Sequence, residues 1–188
     1  MVSEKYVELI QKLAETHHFG ELRAVDLGCG DMRIGSHISA LFQSYLGADI
    51  VESLIQHHCS QSFAGEVSFQ KINIIEDELP DGDVCFIRQV LQHLSNQQIL
   101  EILPKLEKYR FVLITEHLPS TETGVEKNLD KSHGGDIRLY KNSGVYLDSP
   151  PFQLKGNYEE VLAVNDSSLQ NIEDSGVIKT FLYCPKGN

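Results

Sequence analysis

At 188 residues, with 41% hydrophobic and 23% charged positions, the chain is sized and composed for one water-soluble globular domain with a substantial core. A net charge of −11, with no run of three basic residues, argues against a nucleic-acid partner, whose binding rests on clustered Lys and Arg. Cys29, Cys59, Cys85 and Cys184 make no CxxC pair or metal-ligand spacing, the first five residues lack the apolar core of a signal peptide, and no span reaches membrane length. The expected setting is a reducing cytoplasm, with no membrane partner and no resident metal.

Residues 4–16 carry Tyr6, Leu9, Ile10, Leu13 and Ala14 on one helical face, with Ser3 as the expected N-cap. A first strand is expected over 22–27, running into Gly28-Cys29-Gly30 and then into a helix over 32–43, whose apolar stripe is Ile34, Ile38, Leu41 and Phe42. A glycine turn between strand and helix lets a ligand sit directly on backbone amides. The dinucleotide fingerprint G-x-G-x-x-G needs a third glycine at position 33, where Arg33 stands; Asp26 gives the form D-x-G-x-G instead.

A second strand, 45–50, ends on an acid. Asp49 lies nineteen residues past Gly30, near the spacing of a carboxylate that accepts ribose hydroxyls; the competing reading is a helix N-cap ahead of Val51. A third strand over 67–72 leads to Asn73-Ile74, and residues 76–83 form an acidic turn. The continuous apolar run Val84-Cys85-Phe86-Ile87 suits a central parallel strand, followed by Arg88-Gln89. Ser95 and Gln98 make a capping box and Leu94 with Ile99 a hydrophobic staple, so a helix starts at Asn96; Pro104 should kink or shorten it. A fifth strand, 110–115, ends at Glu116-His117.

The D-x-G-x-G turn resembles motif I of class I S-adenosylmethionine (SAM) methyltransferases, and residues 83–118, with the run Val90-Leu91-Gln92-His93-Leu94-Ser95, resemble their motifs II and III. The similarity spans about residues 20–118; the family's usual third glycine is Met32 here. It implies an α/β fold: a doubly wound, mostly parallel seven-stranded sheet with helices on both faces and a long loop between strands five and six. It implies SAM as cofactor, with contacts expected from Asp26, Gly28, Cys29, Gly30, Asp49, Ile50, Asn73, Ile74, Arg88 and Gln89. Within that set, Asp49 takes the ribose, Ile50 packs on adenine and Asn73 accepts the adenine amine. The leading helix is expected either to cover this site or to pack on the sheet edge.

Residues 119–157 are rich in Ser, Thr, Asn, Asp, Gly and Pro and lack a helical period; a structureless segment of this length usually has a function. Two late strands, 159–164 and 176–184, should close the sheet as a hairpin with the last strand antiparallel. The expected organisation is one domain over 1–188: a leading helix (1–18), a SAM-binding core (20–118), a substrate or lid loop (119–157) and a closing hairpin (158–188). Within the loop, Gly134-Gly135 is a candidate hinge and Arg138 a candidate clamp for a carboxylate or phosphate. A short strand and a rigid turn are expected over 144–152, with Tyr140, Tyr146 and Phe152 as candidate pocket walls. Where the acceptor must lose a proton, the candidate bases are His117, His93 and His133, each weighed against a structural role.

The function these residues support is methyl transfer from SAM to a small molecule. Two alternatives stay open: a SAM-binding protein without transfer, and an NAD(P)-linked oxidoreductase, disfavoured by Arg33 and by the absence of a Y-x-x-x-K pair.

Overall fold

The structure, a computed structural model, describes residues 2–121, 123–165 and 176–185. In chain order its elements are α1 (Val2–His17), β1 (Arg23–Leu27), α2 (Gly35–Ile38), β2 (Ser44–Asp49), α3 (Glu52–Cys59), β3 (Val67–Lys71), β4 (Val84–Arg88), α4 (Asn96–Leu106), β5 (Phe111–Leu118), β6 (Asn157–Asn165) and β7 (Val177–Cys184). The strands form one sheet of seven in the order β3-β2-β1-β4-β5-β7-β6. The first five are parallel, and β7 is antiparallel to both neighbours. The doubly wound, mostly parallel sheet with its antiparallel hairpin is the architecture expected from the sequence.

Alternation along the central strands sorts their side chains to two faces. Val25, Leu27, Cys85, Ile87, Val112 and Ile114 join Ile99, Ile102 and Leu106 of α4 in one cluster. Ala24, Val84, Phe86, Phe111 and Leu113 join Tyr6 and Ile10 of α1, Ile38 of α2 and Ile55 of α3 in the other. Asp26 shares the second face, so its carboxyl lies under α1 among aromatic side chains. Ser95 and Gln98 form the full capping box, and Pro104 falls in the last turn of α4, which stops two residues later. No helix among the described residues is long and apolar enough to cross a membrane.

The structure corrects several local expectations. Because α1 begins at Val2, Ser3 sits inside its first turn and does not cap it. The helix expected over 32–43 is only α2 followed by a 3₁₀ turn, Ser39–Leu41. Phe42 is already extended, and the Gln43 N–H donates to Leu22 O at 2.9 Å, so the chain must straighten early to pair β2 with β1. β5 runs three residues past Thr115 because β7 pairs with it as far as Leu118↔Val177, and all eight of its residues are buried.

Part of the segment after β5 packs into the core. Among its described residues the one helical piece is a 3₁₀ turn, Arg138–Lys141, and no strand forms over 144–152. Instead Val145, Leu147 and Phe152 enter the α4-side cluster and cover the sheet where an ordinary crossover helix would pack. Phe152 therefore belongs to the core, Tyr140 is exposed, and Tyr146 lies beside the Lys127 ammonium, 4.9 Å from the ring centroid. The turn that follows contains a cis peptide bond between Pro150 and Pro151.

Candidate functional site

The turn after β1 is built from three left-handed residues: Gly28 (φ +80°), Gly30 (φ +54°) and Met32 (φ +58°). A Cβ at Gly28 would fall onto Cγ2 of Val90, so this position excludes side chains by space as well as by conformation. The Gly28 and Cys29 N–H groups both donate to Ala48 O, at 2.8 and 3.0 Å, tying the turn to the end of β2. Met32 takes the conformation a glycine would take most easily, and its side chain is 2% exposed, packed in the α1-side cluster.

Asp49, at the tip of β2, reaches back to this turn. Its Oδ2 accepts the Gly30 N–H at 3.2 Å and its Oδ1 accepts the Val51 N–H at 3.0 Å, at the entry to α3. One carboxylate thus serves both the glycine turn and the start of the helix. From α3, His58 Nε2 lies 2.7 Å from Gly30 O. A carbonyl only accepts, so this nitrogen carries the proton. Asp49 and His58 together fix the two peptides on either side of Gly30. His58 was not singled out in the sequence, where it sits in a polar-looking helix.

Beside the turn opens a cavity of about 910 Å³, lined by Tyr6 and Lys5 of α1, by Asp26, Gly28, Cys29, Gly30 and Arg33, by Phe86, Arg88 and Gln89 at the end of β4, and by Asn165 and Ile178 of the closing hairpin. α1 thus supplies part of the cavity wall. Asp26 is buried, and its Oδ2 accepts the Tyr45 hydroxyl at 2.6 Å; burial pushes its carboxyl up to about 6 against that bond. Burial also pushes the hydroxyls of Tyr6 and Tyr45 and the Cys29 thiol well above their ordinary ranges, so all three are protonated and neutral at pH 7. Gln89 has a left-handed backbone (φ +56°) and its N–H donates to Thr115 O at 2.7 Å. The Arg88 guanidinium lies over the Tyr6 ring, 5.5 Å from its centroid.

Other residues singled out in the sequence lie elsewhere. Ile50 is 52% exposed beside Asp49, outside the cavity lining. Asn73 and Ile74 also lie outside that lining, past the end of β3; the Asn73 side-chain oxygen accepts the Ile75 N–H at 3.1 Å, and Ile74 O accepts Lys105 Nζ at 3.2 Å. His117 belongs to β5, opposite Ile178, and is 6% exposed with its ring against Gly176. It is a residue of the sheet interior, and it does not line the cavity. His93 ends a 3₁₀ turn, Leu91–His93, and stays outside the lining as well.

Arg138 is 3% exposed. Its guanidinium donates to Leu94 O at 3.1 and 2.9 Å and to Asn96 Oδ1 at 2.7 Å, so its fork is committed to the start of α4. With those donors engaged, Arg138, read in the sequence as a candidate clamp for a carboxylate or phosphate, anchors the loop. His133, Arg138 and Tyr140 line a separate cavity of about 310 Å³ within the loop. Asp130 accepts the N–H groups of Asn96 and Lys131, both at 2.8 Å.

Sequence reasoning passed over the walls supplied from far along the chain, Asn165 and Ile178, and the role of Tyr6, which read only as one apolar position of a helix. The amphipathic pattern of α1 was the available signal for Tyr6; none marked the other two.

No family model matches the sequence, and no curated protein matches it either. Among solved structures, the N-methyltransferase NodS from Bradyrhizobium japonicum WM9 in complex with S-adenosyl-L-homocysteine is 12% identical and aligns over 97% of this chain and 87% of its own, with a TM-score of 0.64. Magnesium protoporphyrin IX methyltransferase from Synechocystis PCC 6803, with the same nucleoside bound, is 14% identical over 95% of this chain and 82% of its own (TM-score 0.57). A SAM-dependent methyltransferase from Methanosarcina mazei is 12% identical over 90% and 96% of the two chains (TM-score 0.57). The strand order, with β7 inserted antiparallel, also departs from the 3-2-1-4-5-6 order of dinucleotide-binding sheets. The chain has the α/β fold of the class I methyltransferases.

Proposed function

We propose that the chain is a SAM-dependent methyltransferase acting on a small molecule. The observation that carries this reading is the meeting of the Asp49 carboxylate with the amide of Gly30 in a left-handed glycine turn, at the carboxyl ends of β1 and β2. In an open α/β sheet this is where ligands bind.

The residues present fit SAM. Each Asp49 oxygen accepts one N–H and keeps a second lone pair, which suits a pair of ribose hydroxyls. Ile50, a large apolar side chain left 52% exposed beside that carboxylate, offers a surface to an adenine face, with Asn73 and Ile74 beyond it. Gly28, Cys29 and Gly30 form a low wall along which an amino-acid tail fits, above Asp26 and Gln89. SAM supplies a methyl group on a positively charged sulfur. The chain's part is to position that group and to limit its exposure to water, with α1 and the closing hairpin supplying walls of the cavity. Among the described residues lining the cavity there is no histidine, so this reading assigns no general base to His117 or His93. The net charge of −11 supports a small acceptor over a nucleic acid.

Titration calorimetry with S-adenosylhomocysteine tests the reading. Asp49→Ala should weaken binding at least tenfold with the fold intact by circular dichroism. Unchanged affinity would remove Asp49 from the site. Met32 in place of the family's third glycine supports a second reading, binding without transfer; it predicts that the protein binds the nucleoside and turns over no member of a broad acceptor panel.

A further inference from the structure

The charge lining the cavity is opposite to that of the molecule. In a chain of net −11, three cationic side chains (Lys5, Arg33 and Arg88) face two carboxylates, Asp26 and Asp31. Asp31 is paired with Arg33 at 2.8 Å, and Asp26 is bonded to the Tyr45 hydroxyl. Arg88 has no such partner. Its Nε is buried without a hydrogen bond, and among the described residues its guanidinium makes no ion pair. Asp26 on the neighbouring strand and Asp31 on the turn act on it only through space. Its direct contact is the Tyr6 ring, which steadies the cation and takes up none of its N–H groups.

A guanidinium presents five donors in a planar fork matched to a carboxylate or phosphate. Leaving the Nε–H buried and unbonded is unfavourable, and the fold tolerates it here in the wall of a cavity. We propose that Arg88 binds an anionic oxygen group, a carboxylate or a phosphate, on the methyl acceptor, so that the acceptor is an anionic small molecule. This rests on the methyltransferase reading, and it moves Arg88 from the cofactor's contacts to the acceptor's. The position agrees: Arg88 ends β4, beyond the glycine turn from Asp49 and facing Tyr6 of α1. An anion there also neutralises a cation that would otherwise stand near a positively charged sulfur.

The test follows the Arg88 Nε–H resonance in ¹⁵N-labelled protein saturated with S-adenosylhomocysteine, assigned by its loss in Arg88→Lys. Benzoate, phenyl phosphate and neutral benzamide are titrated in parallel. A saturable shift with benzoate or phenyl phosphate but not benzamide supports the proposal, and the stronger of the two anions names the group. No shift with either anion, or an equal shift with benzamide, overturns it. Arg88→Met should weaken the effective anion at least tenfold, read on neighbouring backbone amides, and leave the affinity for S-adenosylhomocysteine unchanged. If it instead weakens S-adenosylhomocysteine tenfold while sparing 5′-methylthioadenosine, the guanidinium serves the cofactor's amino-acid tail and the proposal falls. Should the variant fail to fold, the titrations of the unaltered protein decide alone. Failure of that protein to bind either nucleoside overturns the methyltransferase reading itself, a result distinct from nucleoside binding with a silent Arg88.

Discussion

Met32 carries two opposed demands. Its left-handed backbone costs a non-glycine residue about 1–2 kcal/mol, whereas truncating a buried methionine costs about 2–5 kcal/mol. Burial wins on these magnitudes, so Met32→Gly should lower stability by about 1–3 kcal/mol in a denaturant titration. A more stable variant would show that backbone strain dominates. The position reads in sequence as a lost glycine, and only the packing of its side chain explains the replacement.

Glu116 is a second residue whose surroundings the sequence concealed. It is 1% exposed on β5, and its two oxygens accept the N–H groups of Leu91 and Gln92, both at 3.1 Å. Burial outweighs those bonds and pushes its carboxyl up to about 8. Between its ordinary value of 4.5 and about 8 the folded protein keeps a proton that the unfolded chain releases. Stability attributable to Glu116 is therefore full below pH 4.5 and lost as pH rises towards 8; Asp26 acts in the same sense up to about 6. Chemical denaturation at pH 5, 6.5 and 8 should show this decline, on the order of a few kcal/mol, and Glu116→Gln should flatten it. An equally steep decline in the variant would assign the effect to other groups.

At the level of elements, regular pieces with local signals were legible and pieces held by distant partners were not. The capping box at Ser95 is complete within four residues, and the central strands announce themselves as unbroken apolar runs. The end of β5 depends on a partner about sixty residues away, which no local pattern reveals. The loop after β5 shows the same limit: its polar composition correctly ruled out a long helix, yet it hid the burial of Leu147 and Arg138. Arg138 joins the loop to the first residues of α4 through three donor contacts, two of them to one carbonyl. Arg138→Ala leaves Leu94 O short of a charged donor and should cost about 2 kcal/mol or more. It should also speed limited proteolysis between residues 129 and 141 several-fold. Unaltered protection would mean that Asn128, whose amide spans Tyr146 O and Pro150 O at 2.9 and 2.8 Å, holds the loop without it.

For the whole molecule, the sheet order decides where the cavity's walls come from. β6 bonds only to β7 in the sheet, and β7 in turn fills the place beside β5. A chain cut after Asn165 keeps all five parallel strands but leaves the edge of β5 open, and an open apolar edge invites association between copies. Such a truncation should precipitate or run as large assemblies in size-exclusion chromatography, with loss of sharp near-ultraviolet dichroism. A monodisperse, native-like product would show that the parallel half folds alone. The candidate cofactor turn was legible because it lies within one strand and one turn; the opposing wall was not, because it arrives from the hairpin.

That late insertion has a temporal consequence. On the ribosome, β6 emerges before the strand that will hold it, and Ile178, part of the cavity wall, is translated after every parallel strand. Until β7 threads into its slot the cavity lacks one side, so its full wall exists only once the last strand has been made.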